Sequence, residues 1–478
     1  MSQRADRPPF VAFAALALLV AGLLLVLRPL ESEYLDLVRQ GDAHAERAER
    51  TAAAAAYREA AHLRPDDALP HLQLARLYLD WRRIDQALDA LSEAERLGAP
   101  LVDVERLRVT AHLARAETAV TVRPAHWELV GHHARWLLTL DPGDQDARHV
   151  LARAYLGVRA WEAARSVYEV LLDRDPSDTL ARQQLGGLLL GDDTLAHRHL
   201  YAAGTELSGR LLAAFQEAHA TGDPAYVNTV VGRVLVEHDE WPLAARQLDR
   251  ALSHNPAYGD AHAYLGHALD RMGYPEEARS HLRRAVAAMP QSVIAHTFLG
   301  LHYDRLGDTA AARTQYEMAY DLAPQNPAIC VEIGQTWSAE GRYVAAEIWL
   351  REAVSLSPND PGLWEILARF YLDHNIASQD RAVEAAETLL ALAPDAAAAH
   401  DLRAWAALQV GDYETAEEHL RRSMELDSQL ASAHYHLGLL RSGQGRRGEA
   451  EEAFTRAIDL DTTGEFVPLV DRATADHE

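Results

Sequence analysis

Three consecutive stretches of 34 residues decide the fold. They read GDAHAYLGHALDRMGYPEEARSHLRRAVAAMPQS from Gly259, VIAHTFLGLHYDRLGDTAAARTQYEMAYDLAPQN from Val293 and PAICVEIGQTWSAEGRYVAAEIWLREAVSLSPND from Pro327. The same residue types return at the same offsets: glycine at position 8, alanine at position 20 and proline at position 32. Self-similarity at such a period indicates an array of repeated structural units rather than one compact domain.

The period continues on both sides of these stretches and covers residues 34–464 in about twelve units. We place the units at 34–67, 68–101, 102–144, 145–178, 179–224, 225–258, 259–292, 293–326, 327–360, 361–396, 397–430 and 431–464. Small residues let two helices cross closely, and proline restricts the residue before it and ends the second helix. Each unit is therefore predicted to be an antiparallel helix pair, and the stack a superhelix with a concave surface.

A 34-residue period with these residues resembles the tetratricopeptide repeat (TPR) family. The resemblance implies an all-α solenoid that binds a protein or peptide partner in its concave groove, and it implies no enzymatic activity and no cofactor. Because an apolar segment precedes the repeats, the chain is similar to the membrane-anchored bacterial proteins of this family. These act in assembly of envelope complexes, such as those of cytochrome c maturation, pilus biogenesis or polysaccharide synthesis.

Three units and the C-terminal tail depart from the period. Units 102–144, 179–224 and 361–396 are longer than 34 residues, with an insert from Gly191 to Gly204 in the second of them. The tail, residues 465–478, is short and polar, so we expect it to be frayed or a partial cap. The irregular units are the places where a function specific to this chain could lie.

Residues 10–27 read FVAFAALALLVAGLLLVL and contain no charged side chain. As a helix this run is about 27 Å long, close to the hydrocarbon thickness of a bilayer, about 30 Å. After a tail of residues 1–9, residues 10–29 are therefore predicted to be an uncleaved transmembrane anchor in contact with the lipid bilayer. We expect a single-pass protein of the cytoplasmic membrane, with the repeats outside the cytoplasm.

Composition excludes several classes of function. The 46 basic residues are all arginines, and with 71 acidic residues the formal net charge is −25. Nucleic-acid binding is not expected, because it needs a basic surface. The single cysteine, Cys330, excludes a disulfide framework and a cysteine zinc site, and we expect it to be buried and inert. No nucleophile motif or phosphate-binding loop occurs, so no catalytic residue is assigned.

Histidine is abundant, with 24 residues, but no two of them are three or four apart. That spacing would place two ligands on one helical face. Five histidines occupy position 4 of their units, where we expect packing roles: His71, His262, His296, His400 and His434. A metal remains an alternative only near His197 and His199, beside Asp192 and Asp193. The alternative function is therefore an accessory subunit or metal-dependent enzyme that uses the 179–224 insert.

The resemblance also implies which side chains face the groove. On this basis the candidate partner-binding residues are His267, Asp270, Arg271, Asp304, Arg305, Arg369, Asp373 and Trp405. Their mixed charges and one aromatic ring could hold a peptide. We expect Arg271, Arg305 and Arg369 to be exposed, and Gly300 to face Ala312 within one unit.

Overall fold

A computed structural model describes residues 32–118, 124–191, 195–374 and 379–475. Every regular element within these ranges is a helix, which confirms the expected all-α solenoid. The described residues form two compact units, which we call the terminal unit and the central unit. The terminal unit combines residues 32–111 with residues 452–475, and the central unit spans residues 112–451.

The helices follow one another along the chain with short connections. They are α1 (described over 32–46), α2 (Arg50–Leu63), α3 (Leu69–Asp80), α4 (Ile84–Arg96), α5 (Leu101–Thr118), α6 (Pro124–Leu140), α7 (Gln145–Gly157), α8 (Trp161–Arg174), α9 (Thr179–Leu189), α10 (Leu195–Ala203), α11 (Glu206–His219), α12 (Pro224–Glu237), α13 (Trp241–His254), α14 (Gly259–Arg271), α15 (Pro275–Ala288), α16 (Val293–Arg305), α17 (Thr309–Leu322), α18 (Pro327–Ala339), α19 (Tyr343–Leu356), α20 (Pro361–His374), α21 (Gln379–Leu392), α22 (Ala397–Gln409), α23 (Tyr413–Leu426), α24 (Ala431–Gly443), α25 (Arg447–Leu460) and α26 (Phe466–Ala475).

The pair α16–α17 shows how the local sequence sets these boundaries. Helix α16 begins after Ser292, whose hydroxyl accepts the main-chain N–H of Ala295, and α17 begins after Asp308, whose carboxylate accepts that of Ala311. Such caps satisfy N–H groups that have no partner within the helix. Between the helices, Gly307 has a φ of +76°, a conformation that favours glycine. The turn is therefore specified by sequence and not only by packing.

The two helices of a unit cross where position 8 has no side chain. A Cβ atom placed on Gly300 would lie 2.5 Å from the ring of Tyr316, and one on Gly266 would lie 2.6 Å from Leu282. That Gly300 also faces Ala312 stays a prediction, and its nearest contact is position 24, one helical turn later. The reason is that the bulky side chain at position 24 fills the space over the glycine. In the equivalent pair, Ala278 contributes its main-chain oxygen, 3.1 Å from the Cβ position of Gly266.

In several units the side chain at position 4 forms a hydrogen bond to the unit before it. Nε2 of His262 lies 3.0 Å from the carbonyl oxygen of Pro256, six residues earlier, and His296 and His400 repeat the contact with Pro290 and Pro394. At Trp364 the indole N–H donates to the Pro358 carbonyl at 2.8 Å. A carbonyl only accepts, so Nε2 carries the hydrogen in each of these histidines. The imidazole replaces the indole as the donor.

The other ring nitrogen of these histidines faces the second helix, 19 residues later. Nδ1 of His262 lies 2.8 Å from Nδ1 of His281, and Nδ1 of His400 lies 3.0 Å from Nδ1 of His419. We call these the two histidine pairs. Burial, together with the charge that His262 carries when protonated, lowers the pKa of His281 to about 4. Burial also lowers the pKa of His262 and His419.

The terminal unit brings the two ends of the repeat array together. A carboxylate oxygen of Asp459 in α25 accepts the main-chain N–H of Thr51 at 2.7 Å. The indole N–H of Trp81 donates to the carbonyl oxygen of Ile458 at 3.1 Å. The last helices of the array therefore complete the packing of the first.

Two irregular regions differ from what the sequence pattern predicted. Within unit 179–224, α10 packs on α9 as a second helix does, since a Cβ on Gly186 would lie 2.6 Å from Leu200. The extra element is therefore α11, rather than the segment from Gly191 to Gly204. In the tail, which we expected to be frayed or a partial cap, residues 466–475 form α26, and Asp461 accepts the main-chain N–H of Phe466 at 3.0 Å.

Among the residues that the structure describes, no helix is both apolar and long enough to cross a membrane. The predicted tail at 1–9 and anchor at 10–29 lie outside those residues.

The crossing geometry yields a stability prediction. Gly300→Ala should lower the free energy of unfolding by about 1–3 kcal/mol, because the new methyl group overlaps the fully buried ring of Tyr316. Gly209→Ala is the matched control, since no atom lies within 4 Å of its Cβ position in α11. It should be neutral or stabilise by up to about 1 kcal/mol. Urea unfolding of both variants measures the two changes in the free energy of unfolding. A Gly300→Ala variant as stable as the parent would show that Tyr316 does not pack against Gly300 as described.

The histidine pairs yield a prediction about pH. The folded protein resists protonation of His281, whereas the unfolded chain takes up the proton near pH 6.5. The free energy of unfolding is therefore at its full value above pH 6.5, and it decreases as the pH falls toward 4, because protons then favour the unfolded chain. Between pH 7 and pH 5 the parent should lose about 1 kcal/mol more than His281→Gln, after allowance for solvent screening. Denaturant unfolding at both pH values measures the difference. Equal losses would show that the pair does not titrate as described.

Candidate partner-binding face

We call the surface of the first helices in units 259–464 the first-helix face. It consists of α14, α16, α18, α20, α22 and α24. Helix α14 contacts α16, and α22 contacts both α20 and α24, although a second helix separates each of these pairs in sequence. All eight candidate residues belong to these helices. Six of them belong to two clusters, and the other two, Asp304 and Arg369, lie outside the clusters.

The first cluster is an aromatic stack at α14. The ring of His267 lies parallel to Phe298, with 4.2 Å between the centroids, and contacts Trp241 edge-on at 5.4 Å. The guanidinium carbon of Arg271 lies 5.2 Å from the centre of the Trp241 ring, within cation–π range. Burial, with a smaller effect of Arg305, lowers the pKa of His267 to about 4. His267 is therefore neutral at physiological pH and acts as a flat packing surface.

Beneath this stack lies a buried ionic group. Asp270 is 5% exposed, and its two carboxylate oxygens face Nδ1 of His302 at 3.0 Å and Nη1 of Arg305 at 3.2 Å. The side chain of Arg305 is only 18% exposed. The expectation that Arg305 is exposed was therefore wrong, because its long side chain folds back onto the carboxylate of the preceding unit. Removing Arg305 would leave a buried charge without its partner.

The second cluster surrounds Trp405 in α22. Its indole stacks on His436 at 4.8 Å, and Nδ1 of His436 lies 2.7 Å from a carboxylate oxygen of Asp401, which is 1% exposed. Asp373 lies near enough for the charge of His436 to lower its pKa, but burial dominates and raises that pKa. Trp405 therefore stacks on a histidine that sequence reasoning had not assigned to the face, and the charge of Asp373 is within electrostatic range of the same ring.

Two candidate residues lie outside both clusters. Arg369 is exposed and forms an ion pair with Glu365, one turn earlier in α20, at 3.1 Å. Asp304 is exposed, partial burial of its carboxylate raises its pKa, and its charge adds to the effect of burial in raising the pKa of Glu332. This middle part of the face is consequently acidic.

Sequence reasoning missed four residues of the two clusters: Trp241, Phe298, His302 and His436. Trp241 starts a second helix, so the family geometry did not place it on the face. A signal was present for His302 and His436, because each lies about one repeat, 32 or 35 residues, after the aspartate that it contacts, Asp270 or Asp401.

The residues considered above for metal or thiol chemistry include His197, His199 and Cys330, which the structure describes. In the described parts of the chain, no group of three or more histidine, cysteine, aspartate or glutamate side chains is arranged to hold a metal ion. Of the earlier metal candidates, His197 contacts Phe215 edge-on at 4.9 Å, and Asp192 and Asp193 lie outside the described residues. Cys330 is fully buried, and burial raises the pKa of its thiol to about 11, as expected for an inert side chain.

Solved structures provide a comparison for the whole array. The chain is similar to yeast Tom70, with 15% identity over 94% of this chain and 96% of that one and a TM-score of 0.39. It is similar to YrrB, described as a TPR protein with an unusual peptide-binding site, with 17% identity over 40% and 96% and a TM-score of 0.34. PilF of Pseudomonas aeruginosa gives 16% identity over 48% and 97% and a TM-score of 0.37. A comparison with curated protein sequences finds no match.

Two family models match stretches in the second half of the sequence. A tetratricopeptide repeat model matches residues 265–327, 380–431 and 402–465, and a second tetratricopeptide repeat model matches residues 305–370. These residues are the ones that the structure folds into the helix pairs from α14 to α25. The matches and the helix pairs agree, and residues 265–370 and 380–465 of this chain are therefore tetratricopeptide repeats.

Proposed function

We propose that the chain is a scaffold that binds an extended segment of a protein partner along the first-helix face. Tetratricopeptide repeats are suited to protein–protein interaction and typically carry no enzymatic activity. The observation that supports this face is Arg271. Its guanidinium lies against Trp241, and among the described residues no carboxylate lies within ion-pair distance of it.

The chemistry of Arg271 indicates what the partner presents. An arginine held beside an indole keeps its outward N–H groups available, and guanidinium binds a carboxylate with two parallel hydrogen bonds. The neighbouring rings of His267 and Phe298 offer apolar area of the kind that interface hot spots use. A partner segment that has a carboxylate next to an apolar side chain would satisfy both.

We also propose that the chain is anchored in a membrane. The uncharged run at residues 10–27 supports a membrane anchor, with the repeats outside the cytoplasm and a role in assembly of a bacterial envelope complex. An anchored array of this kind would hold its partner close to the membrane, which raises the local concentration of the two proteins.

The partner-binding proposal is tested with a pair of double variants. The partner is captured from detergent-extracted native membranes, identified by mass spectrometry, and its affinity is measured with purified protein. Arg271→Ala combined with Arg369→Ala should weaken binding roughly thirtyfold, about 2 kcal/mol, because an arginine hot spot is lost. Helicity should stay unchanged, since both side chains are exposed.

The control double variant is Arg351→Ala with Arg421→Ala. These arginines are exposed on second helices, and the change in net charge is the same, −2. Equal weakening in both double variants would show a nonspecific effect of charge. Unchanged affinity in both would remove the first-helix face from the proposal.

The anchor has its own test, which does not depend on the partner. After an alkaline carbonate wash the full chain should stay in the membrane fraction, and a variant lacking residues 1–30 should be recovered as soluble helical protein. Release of the full chain by the wash, or a mature N-terminus after residue 28, would refute an uncleaved anchor.

A further inference from the structure

The start of helix α19 carries two exposed apolar side chains that its place in the repeat does not explain. Val344 is 76% exposed and Ile348, one turn later, is 64% exposed, and no other described valine, leucine or isoleucine is as exposed as these. They occupy positions 18 and 22 of unit 327–360. Other units have small or polar residues at these positions: Glu276 and Ser280, Ala310 and Thr314, Glu414 and Glu418. Stacking of the units therefore does not require this apolar pair, which is typical of an interaction site.

An arginine at the same end of α19 has no ion-pair partner. Arg342 immediately precedes the helix, two residues before Val344, and is exposed. Its guanidinium carbon lies 4.3 Å from the centre of the Trp337 ring, and that of Arg313 lies 3.6 Å from it. Arg313 pairs with Glu340 at 2.8 Å, whereas no carboxylate among the described residues lies within ion-pair distance of Arg342. Arg342 is therefore held beside an indole and keeps its N–H groups available.

The terminal unit contains an occupied counterpart of this arrangement. Arg83 has position 16 in its unit, as Arg342 does, and its guanidinium carbon lies 5.4 Å from the centre of the Trp81 ring. The occupant is the end of α25, where a carboxylate oxygen of Asp461 lies 3.7 Å from Nη2 of Arg83. The carbonyl oxygen of Ile458 accepts the indole N–H of Trp81 at 3.1 Å. The end of a helix with apolar and acidic side chains therefore covers this arginine and its indole.

We infer that the start of α19 is a docking site for the end of a partner protein's helix that carries alternating apolar and acidic side chains. Residues 458–461 read Ile-Asp-Leu-Asp and show the chemistry that fits. Carboxylates of such a segment would bind the guanidinium of Arg342, and its aliphatic side chains would cover Val344 and Ile348. The site begins a second helix, so it goes beyond the first-helix face and does not rest on the proposed function.

Local charge favours an acidic occupant. Two carboxylates near the site, Glu340 and Glu347, already accept hydrogen bonds from Arg313 and Arg381. The first turn of α19 contains no acidic side chain, and no side chain caps the helix. The positive end of the helix dipole therefore adds to the charge of Arg342.

The probe is a synthetic peptide with the sequence of residues 447–466 of this chain, which includes the end of α25. Fluorescence anisotropy measures its binding to the purified full chain at low salt. We expect saturable binding that Arg342→Ala and Ile348→Asp each weaken roughly tenfold, because the first removes the guanidinium and the second puts a negative charge beside the peptide carboxylates. Both side chains are exposed, so circular dichroism and the unfolding midpoint should match those of the parent.

Arg284→Ala is the matched control for charge. Arg284 is exposed on another second helix, α15, and among the described residues it has neither a carboxylate within ion-pair distance nor an aromatic ring beneath it. Its loss should leave the affinity for the peptide unchanged. In the peptide, Asp459→Asn combined with Asp461→Asn should weaken binding roughly tenfold, because the carboxylates are lost. A photo-reactive group in place of Leu460 of the peptide should cross-link to residues 337–351.

Several results would overturn the inference. Equal affinity of the parent and Arg342→Ala, or cross-links outside residues 337–351, would mean that the peptide binds elsewhere, as in exchange for α25 in the terminal unit. Equal losses in Arg342→Ala and Arg284→Ala would show a general effect of charge. No binding by the parent at about 1 mM peptide would exclude an occupant of this chemistry. If sedimentation then showed self-association that Ile348→Asp abolishes, the occupant would be a second copy of the chain.

Discussion

The whole structure depends on the contact between a glycine or alanine at position 8 and the bulky side chain at position 24. A unit is only two helices thick, so the distance between them has no other layer to set it. Where Tyr316 covers Gly300, the ring takes up all the space that a methyl group would need. The same contact recurs at Gly232 with Leu248 and at Gly334 with Leu350. A layer this thin needs few large rings, which explains the low aromatic content.

Within a unit the helices are held by packing, but consecutive units are also joined by a directed hydrogen bond from position 4. Trp364 and His296 show that either an indole or an imidazole can donate it. The two side chains differ in whether a second ring nitrogen remains once this hydrogen bond has formed. An indole has no second ring nitrogen, whereas an imidazole has a lone pair that must find a partner in the second helix. The substitution of histidine for tryptophan therefore adds a polar site to an apolar interface.

Much of the fold could be predicted because position within a 34-residue unit decides which residues are buried. Side-chain partners could not be predicted in the same way. Arg305 was expected to be exposed from its position on the helix, but a long flexible side chain can reach a buried carboxylate such as Asp270. A search for histidines three or four residues apart could not find His262 and His281, since a helix pair brings residues 19 apart into contact. The helix α10 was missed because only 14 residues separate Gly186 from Leu200, against 16 in regular units.

The terminal unit has a consequence for how the protein is made. The contact of Thr51 with Asp459 joins residues 408 positions apart. At a synthesis rate of about 5–20 residues per second, Thr51 is made about 20–80 s before Asp459 exists. During that interval the first repeats lack the segment that accepts the indole N–H of Trp81 and the main-chain N–H of Thr51. The segment around Thr51 therefore reaches its final packing only after Asp459 has been made, and a chain terminated before that residue leaves it open to chaperones and proteases.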